Sequence, residues 1–332
     1  MLRSLTTVPR LLLLTILILP SAMPSSATAG NWYHDPKTGC AVWFDYLKPE
    51  VPMSYVGPCF AGTAEGVGAA RWSFDGKSAV HYKGRFRRGK PHGQGALIDE
   101  ITTFVGEYRD GIKHGPGVEV LSGGLLRFEG RWVEGKLTGY GSVVFNPVPD
   151  RKTTVRYEGD LLDSKPHGRG VWTTGNGGWY EGEFRNGKKH GFGTSIMEIT
   201  GHRYQGEWKD GKFHGAGTFI WSNGDRYEGE FREHWEHGQG VKTFASGGRY
   251  EGEFVRGQPQ GTGTFFFSNG FRYDGQWERG DQNGQGVLSS PDGVRIEGTF
   301  KDGYPDGRIE VTLPDGTRES AIYEGGEVKI AD

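Results

Sequence analysis

Six of the ten histidines, His92, His114, His167, His190, His214 and His237, sit in the same tetrapeptide, His-Gly-x-Gly. A recurring imidazole invites a metal-ligand reading, since neutral histidine is a common zinc ligand. A second recurrence is acidic. Glu181 and Glu183, Glu228 and Glu230, and Glu251 and Glu253 stand two apart, as carboxylates sharing acid–base work would. The repetition argues against both chemistries. Equivalent histidines on successive two-stranded units lie ~10 Å apart, whereas ligands of one zinc sit ~2 Å from the ion. A catalytic carboxylate pair needs one unusual environment that separates two pKa values, and here the environment recurs. The histidines are expected as structural turn residues, or else as an edge that responds to acid. The glutamates are expected as solvated partners of Arg and Lys on neighbouring strands. Gly141-Ser142-Val143 and Thr194-Ser195-Ile196 fall on ordinary positions of the same pattern and form no nucleophile arrangement. The sequence therefore assigns no catalytic residue, no metal ligand and no cofactor.

What positions all these residues is a repeat. Its first aromatic falls at Tyr55, Tyr82, Phe104, Phe128, Tyr157, Tyr180, Tyr204, Tyr227, Tyr250 and Tyr273, with Ile296 closing the run, and the last four tyrosines are 23 residues apart at every step. A fixed period of this length marks a solenoid, whose units bury their apolar faces only against their neighbours. Numbered from that aromatic, positions 1, 3 and 5 read aromatic, Gly, aromatic, as in Tyr204-Gln205-Gly206-Glu207-Trp208. They share parity and so one face of a strand, while positions 2, 4 and 6 are polar. Positions 8 to 11 are expected as the turn, and Gly215, Gly217, Phe219 and Trp221 as one face of the return strand. Pairing position 5 with 14, 3 with 16 and 1 with 18 would lay Trp208 over Gly217 and Phe219 over Gly206, so that a ring covers each bare glycine. Asp75-Gly76, Asn223-Gly224, Asn269-Gly270, Asp292-Gly293 and Asp315-Gly316 supply tight turns between hairpins. Eleven such units predict a ribbon on the order of 100 Å long with almost no helix.

The pattern Tyr-x-Gly-x-aromatic-x-x-Gly-x-x-His-Gly-x-Gly resembles the MORN repeat family over about residues 55 to 326. The resemblance implies an all-β fold, an elongated single-layer antiparallel sheet of tandem β-hairpins. It also implies tethering, scaffolding or membrane association rather than one biochemical activity. Some modules of that family adjoin lipid-kinase domains. Here no Walker A lysine motif, no His-Arg-Asp loop and no Asp-Phe-Gly motif occurs, and no stretch is left to house a kinase.

The ends bound the rest. Arg3 and Arg10, the apolar run Leu11 to Leu19 and the Ala27-Thr28-Ala29 site read as a secretion leader cleaved after Ala29, with an uncleaved anchor as the alternative. No later segment is apolar enough to cross a membrane. Residues 1–29 are thus the leader, 30–54 an N-terminal cap segment, 55–318 eleven repeats, and 319–332 a degenerate half-repeat keeping Tyr323 and Gly326. Cys40 and Cys59 are the two cysteines, and an exported chain predicts a disulfide between them. That bridge would staple the first repeat and hold Trp43 over the sheet end; without Cys-x-x-Cys spacing a redox-active pair is the weaker reading. Two links run long, four residues between Gly68 and Tyr82 and six after Phe145, the latter a protruding loop with Pro147 and Pro149.

The chain carries 39 basic and 41 acidic residues, a net of −2 that becomes −4 without Arg3 and Arg10. No basic stripe marks a nucleic-acid partner, and no Lys/Arg cluster marks an anionic membrane. The remaining candidate is an aromatic stripe. Some of Tyr180, Tyr204, Trp208, Tyr227, Tyr250, Tyr273 and Trp277 are expected to line a partly open concave surface, with packing of the rings on one another as the other reading for most of them. Trp235, following His234 in place of the turn glycine, is a candidate contact. The sequence thus predicts a secreted or periplasmic non-enzymatic scaffold for a protein partner or a homodimer, through the aromatic face or the sheet ends. The alternative is a glycan or phospholipid surface bound by the same ladder.

Overall fold

The computed structural model describes residues 30–45, 50–74, 77–147, 153–324 and 326–329. The leader and the tip of the loop after Phe145, including Pro149, lie outside the described residues, as does the Asp75-Gly76 turn. From Met53–Val56 to Glu327–Lys329, twenty-four strands follow one another as antiparallel neighbours in a single sheet. The two end strands do not pair with each other, so the sheet is open. At ~4.8 Å per strand the ribbon is about 110 Å long.

The register differs from the one the sequence suggested. Within the repeat at Tyr204, Tyr204 faces Phe219, Gly206 faces Gly217, Glu207 faces His214 and Trp208 faces Phe213. The turn is a two-residue hairpin, Asp210-Gly211, with φ of 51° and 87°, the type whose twist matches flanking strands. The two extra residues between His214 and Gly217 form a bulge, with Gly215 at φ 54°. Glycine therefore faces glycine, not an aromatic. Because the next hairpin also pairs Gly217 with Gly229, the pairing propagates. Twenty glycines, from Gly68 to Gly298, stand side by side across twenty strands.

The row exists to seat the tyrosines. A Cβ on Gly217 would lie 2.6 Å from the Tyr204 Oη, and one on Gly240 would lie 2.4 Å from that of Tyr227. Each tyrosine runs along its own strand over bare backbone, and its hydroxyl donates to the carbonyl three residues on: Tyr180 to Glu183 at 2.8 Å, Tyr204 to Glu207 at 2.7 Å. A buried phenol is thereby satisfied locally, and burial pushes these hydroxyls well above their ordinary pKa.

The polar positions also have fixed tasks. Glu183, Glu207 and Glu230 accept from the bulge N–H groups of Phe192, Ala216 and Gln239 at 3.2–3.3 Å. Glu228 and Glu251 pair with Arg226 and Arg249 two residues back on their own strands, not across strands. The histidines precede the bulge rather than forming the turn. His92 and His190 accept, through Nδ1, from the turn residues Asp110 and Asp210 of the following hairpin at 3.4 and 3.5 Å.

A separate four-stranded sheet, built from Asn31–His34, Ala41–Phe44, Cys59–Phe60 and Thr63–Ala64, caps the N-terminal end. Cys40 and Cys59 form the expected disulfide, with Cα atoms 5.9 Å apart. The Asp35 carboxylate accepts the N–H of Tyr55 in the edge strand at 2.8 Å, and Tyr33 and Phe44 close on Trp72. Trp43 lies against the turns of the next repeats, its backbone N–H donating to the Gly89 carbonyl at 2.9 Å and its ring under the Lys90 ammonium at 4.6 Å. The cap thus covers the N-terminal edge, whereas Glu327–Lys329 remains an open edge with exposed side chains.

Candidate interaction face

The rings expected on an open surface form the core instead. Tyr180, Tyr204, Tyr227, Tyr250 and Tyr273 are at most 1% exposed, and Trp208 and Trp277 at most 5%. Their arrangement is a ladder of edge-to-face contacts in which the position-5 ring of each repeat bridges its own tyrosine and that of the preceding repeat. Twelve rings, Tyr157–Phe184–Tyr180–Trp208–Tyr204–Phe231–Tyr227–Phe254–Tyr250–Trp277–Tyr273–Phe300, are linked in this way at centroid separations of 4.9–5.4 Å. Perpendicular contacts of this kind stabilise by about 0.5–1.5 kcal/mol each beyond area burial. The tryptophan N–H groups are also committed: Trp208 donates to the Gly193 carbonyl at 3.2 Å and Trp277 to that of Gly263 at 3.0 Å. The ladder breaks once, where Phe128 and Leu161 stand in its path. A first run of six rings, Tyr55 to Trp132, precedes the break.

What this face offers a partner lies beside the ladder, at positions 10, 16 and 18. Position 18 carries a half-buried row, Met197, Trp221, Phe244 and Phe267, packed against the core. Trp172 and Leu288 extend it at position 16. Here the repeats cease to be alike. Phe213 stacks on Tyr204 at 3.9 Å and meets Phe219 at 5.8 Å. One repeat further, the same two slots hold Glu236 and Lys242, bonded at 2.9 Å, with the Lys242 ammonium 4.4 Å above Trp221. Burial raises the Glu236 carboxyl, and Lys242 opposes that. Lys113 and Glu119 form the reversed pair near the other end.

Trp235 alone of the eight predicted contacts is exposed, at 41%. It opens the return strand after His234, which holds the glycine slot of the turn at φ 76°. The imidazole has a structural use: its Nδ1 accepts the Phe213 N–H at 3.3 Å while its ring meets Phe213 edge-on at 4.7 Å. Ser164, in the equivalent slot, likewise accepts the Leu137 N–H at 3.0 Å, a link that no local motif marks. Among the described residues no group of three or more His, Cys, Asp or Glu side chains is placed to hold a metal ion. A shallow depression lined by Phe271, Leu288, Ser290, Asp292, Val294 and Ile296 contains one titratable side chain, Asp292.

The family model described as MORN repeat matches residues 82–99, 104–125, 128–146, 157–179, 180–196, 204–226, 227–249, 250–272 and 273–295. The chain is similar to Alsin of Rattus norvegicus, 34% identical over 113 residues, which is 32% of this chain and 6% of that protein. It is also similar to the human ALS2 C-terminal-like protein, 31% identical over 99 residues, 28% of this chain and 10% of that one. The chain thus matches a tenth or less of the length of these relatives. Among solved structures, the SAS-4 (dCPAP) TCP domain in complex with a Proline Rich Motif of Ana2 (dSTIL) of Drosophila Melanogaster aligns with 12% identity and a TM-score of 0.32. The alignment covers 47% of this chain and 84% of that one, a likeness too slight to inform function.

Proposed function

The chain belongs to the MORN repeat family, and from that premise we propose that it is an exported, non-enzymatic scaffold. It binds a protein partner, or a second copy of itself, along the aromatic face. The observation that carries this reading is the half-buried row Met197, Trp221, Phe244 and Phe267, which continues over four repeats and packs against the core. Contiguous apolar area of this kind marks an interaction site. Self-association has a second route through the open edge Glu327–Lys329, whose backbone groups can pair with another strand; the capped N-terminal edge does not offer one. Export is supported by the leader pattern ending at Ala29 and by the Cys40–Cys59 bond, which persists in oxidising compartments. A non-enzymatic role is supported by the uniformity of the framework, in which Glu183, Glu207 and Glu230 share one structural task and His92 and His190 another. Glycan stacking is disfavoured because the ladder rings are covered, and lipid binding because the Arg side chains at Arg226, Arg249, Arg272 and Arg295 are paired with acids.

The test is proximity crosslinking of the chain from Gly30 to Asp332 in its own compartment, read by mass spectrometry. Recovery of one dominant protein, or of the chain itself, with crosslinks on the strip or the C-terminal edge is the expected result. Recovery of lipid or cell-wall glycan alone would overturn the reading.

A further inference from the structure

Positions 10 and 16 of a repeat are neighbours on the aromatic face, and three rungs show that the two side chains complete one another. Phe213 meets Phe219, Lys113 meets Glu119, and Glu236 meets Lys242. The rung at Tyr180 has no such complement. Its two residues are Lys189 and Ser195, a cation and a hydroxyl with no carboxylate. The Lys189 ammonium stands 4.7 Å from the Tyr180 ring and 4.6 Å from that of Trp208. The π faces attract it, but among the described residues no acid pairs with it, and burial alone pulls its pKa down to about 8. Ser195 is 2% exposed and its Oγ has no hydrogen-bond partner.

The charged groups nearby do not relieve it. His234 is held neutral, pulled down to about 4 by burial and then by the charges of Lys212 and Lys189. The one acid near it, Glu233, is already bonded to Lys212. An orphaned buried hydroxyl and an unpaired cation side by side are two costs that a single group can remove.

We propose that the Lys189–Ser195 rung is a receptor for a carboxylate carried by a bound protein, an Asp or Glu side chain that accepts from both the ammonium and the hydroxyl. This rests on the scaffold reading above and names the chemistry of its partner: an acidic side chain flanked by apolar residues that cover Met197 and Trp221. Carboxylate fits better than a larger anion because two other rungs hold a glutamate in this same pair of positions. Lys189 keeps part of its surface open to solvent, which is where a carboxylate would first meet the rung.

The test uses two variants of the intact protein. Ser195→Glu supplies the missing carboxylate from within, copying the Lys113–Glu119 rung; Lys189→Met removes the cation. Binding of hexaglutamate and of hexaglutamine is followed at low salt by tryptophan emission, since Trp208 touches the lysine. Hexaglutamate is expected to bind the wild type and hexaglutamine not. Both variants should lose at least about tenfold in affinity, the loss of one hydrogen bond to a charged group. Ser195→Glu should melt no lower than the wild type, which separates site loss from misfolding. Binding within twofold of wild type in both variants would overturn the proposal. So would equal saturation by acetate at matched carboxylate concentration, which would mark a small-anion site. If Ser195→Glu still captures the crosslinked partner, this inference falls and the scaffold stands. If the wild type captures none while hexaglutamate binds the rung, the scaffold falls and the receptor chemistry stands.

Discussion

Replacing Gly217 with alanine tests the glycine row directly. The new Cβ would lie 2.6 Å from the Tyr204 Oη and 2.8 and 2.9 Å from two of its ring carbons. Ordinary carbon contacts begin near 3.5 Å, so the ring must retreat by about 1 Å. It has nowhere to go, being fully buried and held by Trp208, Phe213 and Phe231. Overpacking of that kind costs about 1–3 kcal/mol. The shift also breaks the hydroxyl's 2.7 Å bond to the Glu207 carbonyl, about 1 kcal/mol. Against this, alanine restricts the unfolded chain and returns about 0.4–1 kcal/mol. The net expectation is a loss of about 2 kcal/mol, read as a lower urea midpoint with an unchanged slope. The chain contains its own control. At Ile296, where the tyrosine is absent, the glycine is absent too: Ile309 stands in the row, fully buried, where the ring would have been. Gly217→Ala in a Tyr204→Ile background should therefore cost less than about 0.5 kcal/mol, giving a coupling energy above 1 kcal/mol. An equal cost in both backgrounds would refute the idea that the row is there to seat the rings.

Three further outcomes follow from individual contacts. Lys189→Phe, which copies Phe213 of the next repeat, should stabilise the protein at pH 7, since a buried unpaired charge gives way to a ring. Because the folded pKa of Lys189, about 8, lies below its ordinary 10.5, the unfolded chain binds the extra proton between those values. Wild-type stability relative to the variant should thus rise over that window, by no more than about 3 kcal/mol; a gap constant with pH would refute this. Asp35→Ala leaves the Tyr55 N–H without its acceptor and should loosen the cap by about 1–3 kcal/mol, seen as lost hydrogen-exchange protection at Tyr55. The N–H groups of Tyr55, Lys37 and Thr38 hold the Asp35 carboxyl below its ordinary value, so this contribution is present at neutral pH and lost as pH falls through the folded value. Reduction of Cys40–Cys59 should cost about 3 kcal/mol in the chain-entropy model, confined to the cap. Limited proteolysis should cut between residues 45 and 63 while the repeats persist, and loss of the whole ribbon would contradict that.

The period and the alternation made the hairpin sheet legible in the sequence, and the two cysteines made the bridge legible. The register was not. Glycines occupy positions 3, 12 and 14, so pairing 3 with 14 or with 16 satisfies the same pattern of small and large residues. What decides is the two-residue turn at Asp210-Gly211 with its bulge at Gly215, and a bulge leaves no mark when the bulged residue is one glycine among many. The same ambiguity left the tyrosines open between a surface stripe and packing on one another. A position-1 ring looks half-exposed on a single-layer sheet unless one sees that the glycine of its own strand and that of the facing strand together form its seat. The histidines, expected in the turn, stand before the bulge instead. The Nδ1 bonds of His92 and His190 to the next hairpin depend on how turns stack, which no local pattern records.

Once the seat is understood, the division of labour within a repeat follows. Positions 1, 3, 5 and 14 are bound to one another by ring, glycine and hydroxyl, so a change at one requires a change at another, as Ile296 and Ile309 illustrate. Residues so constrained recur, and what recurs in every repeat cannot tell a partner where along the ribbon to bind. Positions 10 and 16 carry no such constraint: proline, leucine, lysine, phenylalanine, glutamate and glutamine all occur at position 10. Each choice there gives its rung a distinct charge and shape at a fixed distance from the next. Register along the ribbon is therefore specified by the departures beside the ladder rather than by the ladder itself. The rung where the departure is left unpaired, Lys189 with Ser195, is the one that a partner's own side chain completes.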